Sequence, residues 1–362
     1  MQILFFIYDL GVGGAEKNTI KLSNYLASKG FKVSILTVSE LNLLQDRINK
    51  EIELQSLNSK KLFGSFKKIY RFLRNNPIDI LFVNVWPLTS ITILAGLFLK
   101  IHIIPIEHGI LSKEFKPKGR LFCWLQNISI FFTYNLFSSR IITVSNAAKK
   151  DLVNKGVFKK KISVIYNSFD TRADVNQAID HPEWFEHSGP KLITVANLKA
   201  EKNLFNLLHA FKHIHKANEY SPRLLIIGSG PLERELKQLS KDLNIDSDVV
   251  FAGLKIDPYP YIEKSDIFIL SSDFEAFGIV ILEAMSLGKT IVSTNSEGPR
   301  EIINHPSFGY LCRVNDSRDL ADKIITGLEE PLEKHVIISR SEDFSIEKIG
   351  LLYKNLIEEI AN

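Results

Sequence analysis

The sequence predicts an α/β protein with two doubly wound, Rossmann-like domains. Three observations carry that prediction. Short apolar runs without alternation recur between amphipathic helical stretches, the pattern of strands buried on both faces of a parallel sheet. The pattern stops near residue 167 and restarts near residue 191. The length, 362 residues, suits two domains at roughly 100–200 residues each.

The elements follow in order. Ile3–Tyr8 is a continuous apolar run and the first strand. It ends in Gly11-Val12-Gly13-Gly14, after which Ile20, Leu22, Tyr25 and Leu26 mark one face of a helix that Gly30 stops. Lys32–Val38 is the second strand and Ile80–Val85 the next. An apolar helix over Ser90–Leu99 leads to a strand at His102–Ile106, and Ile141–Val144 and Ile162–Tyr166 close the series. Residues 171–190, of mixed polar, Gly and Pro content, read as a linker. The grammar then resumes with strands at Lys191–Val195, Arg223–Ile227, Val249–Phe251, Ile267–Leu270 and Thr290–Ser293. Helices are predicted over Asn203–Lys216, Leu232–Leu243, Pro260–Lys264, Gly278–Leu287 and Ser317–Leu328, with a one-faced amphipathic helix over Ser345–Ile360. The predicted domains are 1–170 and 191–344, with a final helical segment, 345–362. Ligands of such folds sit at the carboxyl ends of the strands.

Composition narrows the function. Hydrophobic residues make up 45% and charged residues 24%, which excludes a mainly disordered chain. Two cysteines, Cys123 and Cys312, exclude a disulfide framework, and the absence of Cys/His clusters argues against structural zinc. No apolar run reaches the ~20 residues of a membrane span. The apolar start lacks a basic region and reads as a strand rather than a signal peptide, so a cytoplasmic protein is expected. The net charge of +4 hides a division: residues 1–170 carry 24 Lys and Arg against 11 Asp and Glu, and residues 171–362 carry 21 against 30. The basic half suits an anionic partner.

The stretch Ser271–Met285 holds the most chemistry. A polar loop follows a buried strand, Phe277-Gly278 allows close backbone approach, and a helix begins there, so free N–H groups face an anion. Glu275 stands before the helix start and Glu283 inside an apolar helix. Carboxylates beside an anion site suit hydroxyls of a sugar and a ribose better than phosphates. A solvated Glu with a helix-face Glu is the plainer alternative, but a buried carboxylate needs a partner.

This stretch resembles the E-x7-E signature of retaining glycosyltransferases of the GT-B fold, family four. Gly13-Gly14-Ala15-Glu16, Glu107-His108-Gly109, Val144-Ser145 and Val164–Asp170 resemble that family's first-domain motifs. Ala196-Asn197-Leu198, Glu201-Lys202-Asn203, Gly228–Pro231, Phe251-Ala252-Gly253 and Ser296–Glu301 resemble those of the second. The ordered set covers nearly the whole chain.

The resemblance implies two Rossmann-like domains facing a cleft, with the final helix packing back on the first domain. It implies donor binding by Gly14, Asn197, Gly228, Ser229, Leu254, Phe277, Gly278, Ile279 and Glu283. Lys202, Glu275 and His108 would carry catalysis: Lys202 on the diphosphate, Glu275 on the transferred sugar, and His108 with Gly14 on the sugar's other side. Asn197 departs from the family, which usually has Arg there. Either Lys202 and backbone amides suffice, or another cation substitutes, or activity is reduced.

The implied reaction moves a hexosyl or N-acetylhexosaminyl group, with retention, from a nucleotide-diphosphate sugar, UDP favoured, to a lipid-linked or oligosaccharide acceptor in bacterial surface polysaccharide assembly. No cofactor and no metal are expected beyond the co-substrate. Asp246-Ser247-Asp248 spells the metal-binding D-x-D of another glycosyltransferase fold, but precedes a strand, away from the carboxyl ends.

The basic stretch Lys113, Lys116, Lys118 and Arg120 runs into Trp124 and further apolar bulk. It reads as a segment for the acceptor and an anionic membrane, with a mobile basic loop ahead of a core helix as the alternative. Lys60, Lys61, Lys67, Lys68, Arg71 and Arg74 add a second basic surface. These features predict a peripheral protein on the inner face of the cytoplasmic membrane. Nucleic acid is not an expected partner, for lack of a recognised motif. Rival readings are a nucleotide-sugar 2-epimerase of the same fold and a non-catalytic nucleotide-binding partner subunit.

Overall fold

A computed structural model describes residues 1–59, 61–169, 180–217 and 221–361. Lys60 of the second basic surface and residues 171–179 of the predicted linker lie outside them. The chain forms two compact units, Met1–Phe169 with Phe344–Asn362, and Asp170–Asp343.

The first unit contains β1 (Gln2–Ile7), β2 (Lys32–Thr37), β3 (Glu53–Ser56), β4 (Ile80–Asn84), β5 (His102–Glu107), β6 (Ile141–Thr143) and β7 (Ile162–Val164). They form one parallel sheet in the order β3-β2-β1-β4-β5-β6-β7. Chain order reverses direction between β1 and β4, which opens a crevice at the strand carboxyl ends. β4 is buried throughout, as its apolar run requires. The last helix, Ile346–Ala361, buries Ile349, Tyr353, Leu356 and Ile357 in this unit. Its Gly350 lies against the Tyr25 ring of the helix Gly14–Ser28; a Cβ there would stand 2.4 Å from Tyr25 Cδ1. Phe169 N–H donates to the Phe344 carbonyl at 3.1 Å, tying the outgoing chain to the returning one.

The second unit contains β8 (Lys191–Val195), β9 (Arg223–Ile227), β10 (Val249–Gly253), β11 (Ile267–Leu270), β12 (Thr290–Thr294) and β13 (Tyr310–Cys312). Its parallel sheet runs β10-β9-β8-β11-β12-β13, with the reversal between β8 and β11. Residues 180–190 of the predicted linker belong to this unit: Trp184 is fully buried, and Asp180 pairs with Lys255 and Tyr261.

Several elements go beyond those the sequence predicts. β3 is a polar edge strand. The helix Phe66–Asn75 presents Lys67, Lys68, Arg71 and Arg74 outward and is anchored by Ile69 and Leu73. β13 has three residues, and the helix Lys334–Glu342 lacks a clear apolar stripe.

Candidate active site

In the second unit, the predicted residues gather where β8 and β11 end. A tight turn at Ala200–Lys202 closes on Asn203, which adopts a left-handed conformation with φ +43. Three hydrogen bonds fasten this turn to the loop after β11. Asp273 N–H donates to the Glu201 carbonyl at 2.9 Å, Ser271 Oγ to the Lys202 carbonyl at 2.8 Å, and Asn203 Nδ2 to Asp273 Oδ1 at 2.6 Å. Lys202 Nζ thereby meets Glu275 Oε2 in an ion pair, both side chains about one-fifth exposed. A cation and a carboxylate 73 positions apart are held together at the rim of the sheet.

Glu275 is also fixed from behind. Gly298 N–H donates to its carbonyl at 2.8 Å, and a Cβ on Gly298 would stand 2.4 Å from Phe277 N. Only glycine permits that approach. Gly278, with φ +99, begins the helix Ile279–Ser286, and no side chain caps it. The first-turn amides are therefore oriented for an anion. Phe277 and Ile279 are buried, so their amides rather than their side chains are suited to ligand contact; Glu283 is buried as well.

The loops after β8, β9 and β10 interlock. Gly228, with φ +140, lies so close to the preceding loop that a Cβ would stand 1.9 Å from the Ala196 carbonyl oxygen. Leu198 N–H donates to the Ser229 carbonyl at 3.0 Å, and Gly228 N–H to the Gly253 carbonyl at 2.8 Å. Asn197 and Leu254 are exposed on these loops.

In the first unit, His108 follows β5. Its Nε2 lies 2.8 Å from Asn84 Oδ1, and Asn84 Nδ2 donates to the Phe6 carbonyl at 3.2 Å. Asn84 Oδ1 must therefore accept, which assigns the proton to His108 Nε2. Burial pushes the His108 pKa down to about 4, opposed by Asn167 beside it, so the ring is neutral at pH 7. Gly14 opens its helix after Gly13, where a Cβ would stand 2.2 Å from Glu16 Oε2.

Glu107, named in the sequence only as part of Glu107-His108-Gly109, carries a buried network of its own. Glu107 is fully buried and accepts from Trp86 N–H and Thr89 Oγ1, each at 3.3 Å, and from the Tyr134 hydroxyl. Burial raises its pKa to about 7; the hydrogen bonds oppose this and Glu114 adds to it. The available signal was a single carboxylate ending an otherwise uncharged strand.

Asp246-Ser247-Asp248 takes no part in this cluster. Asp248 contacts His215 Nε2 at 3.0 Å and Arg223 Nε at 3.8 Å, ahead of β10. Among the described residues, no group of three His, Cys, Asp or Glu is placed to hold a metal. Lys113 lies in the short helix Leu111–Glu114, Lys116 and Lys118 in the turn that follows it, and Arg120 and Trp124 in the helix Arg120–Phe137.

Known proteins match this chain over nearly its full length. An uncharacterized glycosyltransferase of Haemophilus influenzae is 27% identical over 371 residues, covering 98% of this chain and 99% of that protein. The N-acetylgalactosamine-N,N'-diacetylbacillosaminyl-diphospho-undecaprenol 4-alpha-N-acetylgalactosaminyltransferase of Campylobacter jejuni is 27% identical, covering 90% and 89%. The crystal structure of Anabaena HepE in complex with UDP and glucose has the same fold, with a TM-score of 0.81 at 20% identity over 99% of this chain and 100% of that one. The family model for Glycosyltransferase Family 4 matches residues 12–173 and that for Glycosyl transferases group 1 matches residues 176–344. The two doubly wound sheets thus answer to the two halves of one known architecture, and the chain belongs to the GT-B glycosyltransferases of group 1 and family 4.

Proposed function

We propose that the protein transfers a hexosyl or N-acetylhexosaminyl group, with retention at the anomeric carbon, from a nucleotide-diphosphate sugar, UDP favoured, to a lipid-linked glycan acceptor. It would do so in bacterial surface polysaccharide assembly, as a peripheral protein on the inner face of the cytoplasmic membrane. The observation that carries this reading is the Lys202–Glu275 pair beside the uncapped helix start at Gly278. The chemistry required is separation of a sugar cation from a diphosphate. Lys202 and the amides after Gly278 stabilise charge developing on the leaving diphosphate. Glu275 accepts hydrogen bonds from hydroxyls of the transferred sugar. Glu283 grips the ribose. Asn197, Gly228, Ser229 and Leu254 line the nucleotide side. His108, neutral, orients a sugar hydroxyl by hydrogen bonding, and Gly14 gives the backbone room beside it. No metal is assigned a role.

Relatives support the substrate classes: the Campylobacter protein is named for a diphospho-undecaprenol substrate, and HepE was crystallised with UDP and glucose. The test is a panel of UDP-, GDP- and ADP-sugars screened for protection against thermal unfolding. A ligand at about 100 times its Kd adds about 2.7 kcal/mol to the native state. A UDP-sugar should raise Tm, and protection by none of the panel defeats the reading.

A further inference from the structure

The helix Arg120–Phe137 is inverted with respect to ordinary amphipathicity. Its buried residues are mostly polar: Gln126, Thr133, Tyr134 and Asn135, with Ile130 among them. Thr133 bonds Ser90, Tyr134 bonds Glu107, and Asn135 Nδ2 donates to the Gly156 carbonyl at 2.9 Å. Its outer face is apolar. Leu121 is 69% exposed, Phe132 51% and Leu136 60%, and Trp124, Leu125 and Phe131 join them. At 100° per residue, positions 121, 125, 132 and 136 fall within one narrow stripe, flanked by 124 and 131. The stripe follows a helix about 27 Å long, and such a continuous exposed face marks an interaction surface.

The surroundings identify what covers it. No Asp or Glu occurs from Phe115 to Lys150. Lys113, Lys116, Lys118 and Arg120 precede the stripe. Exposed Lys159 and Lys160 stand at the other end, beside Lys161, whose Nζ donates to the Ser138 carbonyl at 2.7 Å. An apolar stripe with cations at both ends matches a layer of acyl chains beneath anionic headgroups. A second copy fits less well, because a two-fold contact would set like-charged ends against each other.

We propose that the outer face of the helix Arg120–Phe137 lies in the headgroup region of an anionic bilayer, with Trp124 and Phe132 among the acyl chains and the flanking lysines on lipid phosphates. This deepens the reading of a lipid-carried acceptor and rests on it for its purpose. Its readout needs no sugar, so failure of donor binding and failure of bilayer docking are separate results.

The test uses the full chain, with phosphatidylcholine vesicles and vesicles containing phosphatidylglycerol. The protein should float with the anionic vesicles, more weakly as salt rises. Of three tryptophans, Trp86 and Trp184 are buried. Trp124 emission should therefore shift to the blue and be quenched by brominated lipid, and Trp124→Phe should abolish that signal. Leu125→Glu with Phe132→Glu should weaken vesicle binding by about tenfold or more. Each of Lys113, Lys116 and Lys118 changed to Gln should weaken it about fivefold. Both glutamates enter exposed positions, and an unchanged melting curve confirms folding. Flotation unaffected by the double substitution overturns the proposal. So does absence of flotation, or a solution dimer that the double substitution dissociates.

Discussion

Replacing Glu107 by Gln should change how stability depends on pH, in a direction that the structure dictates. The folded pKa of Glu107 is about 7 against an ordinary 4.5. A raised carboxyl pKa means that the folded state binds the proton more tightly than the unfolded chain does. Stability therefore falls as pH climbs from 4.5 to about 7, then levels. At about 1.4 kcal/mol per pH unit, the loss is about 3 kcal/mol. His108, held down to about 4 from 6.5, acts oppositely, because its folded state resists protonation. Stability from His108 rises between those values by about 3 kcal/mol. In the parent protein the two slopes oppose each other over the shared window. Glu107→Gln keeps a neutral, hydrogen-bonding side chain against Trp86, Thr89 and Tyr134 and removes the falling slope. Urea unfolding across the range should show near-equal stability below pH 4.5. The variant's advantage should grow to about 3 kcal/mol by about pH 8. Parallel curves for parent and variant would refute the assignment of a neutral Glu107 near pH 6.

Three further outcomes are expected. Lys202→Ala should lose about 3 kcal/mol of transition-state stabilisation, by analogy with one lost oxyanion donor, read as a fall in kcat; unchanged turnover removes Lys202 from the chemistry. Gly228→Ala should lower Tm sharply and abolish nucleotide-sugar protection, because its Cβ would meet Ala196 O at 1.9 Å, whereas Gly253→Ala, at φ +69 with open space around it, should cost only about 1–2 kcal/mol. Gly350→Ala should destabilise the first unit by about 1–3 kcal/mol through overpacking on Tyr25, seen as a lower unfolding midpoint with nucleotide binding by the second unit retained.

What was legible in the sequence follows from how local each signal is. β1, β4, β9 and β11 are buried on both faces and announce themselves as apolar runs. β3 does not, because an edge strand reading Glu-Leu-Gln-Ser carries too little apolar surface. The helix Phe66–Asn75 was hidden by its cations, with only Ile69 and Leu73 marking its inner face. Lys202, Glu275 and Gly278 were readable because strand ends and glycine loops are local features that motifs preserve. The Glu107 network joins residues 18 to 27 positions away on other elements, and no local spacing reports such pairing. The inverted helix misleads for a related reason. Thr133, Tyr134 and Asn135 look like a solvent face until Ser90, Glu107 and the Gly156 carbonyl are seen to satisfy their polar groups packed inward.

The chain leaves the first unit after Phe169 and re-enters it at Phe344. During synthesis, the ribosome must therefore make all of the second unit before it makes the helix that buries Tyr353 against Phe82. The later-begun unit has its whole sequence available first, while the earlier one waits with an open flank. Until the chain is complete, the apolar surface that Ile349, Tyr353 and Ile357 will cover stays open to water.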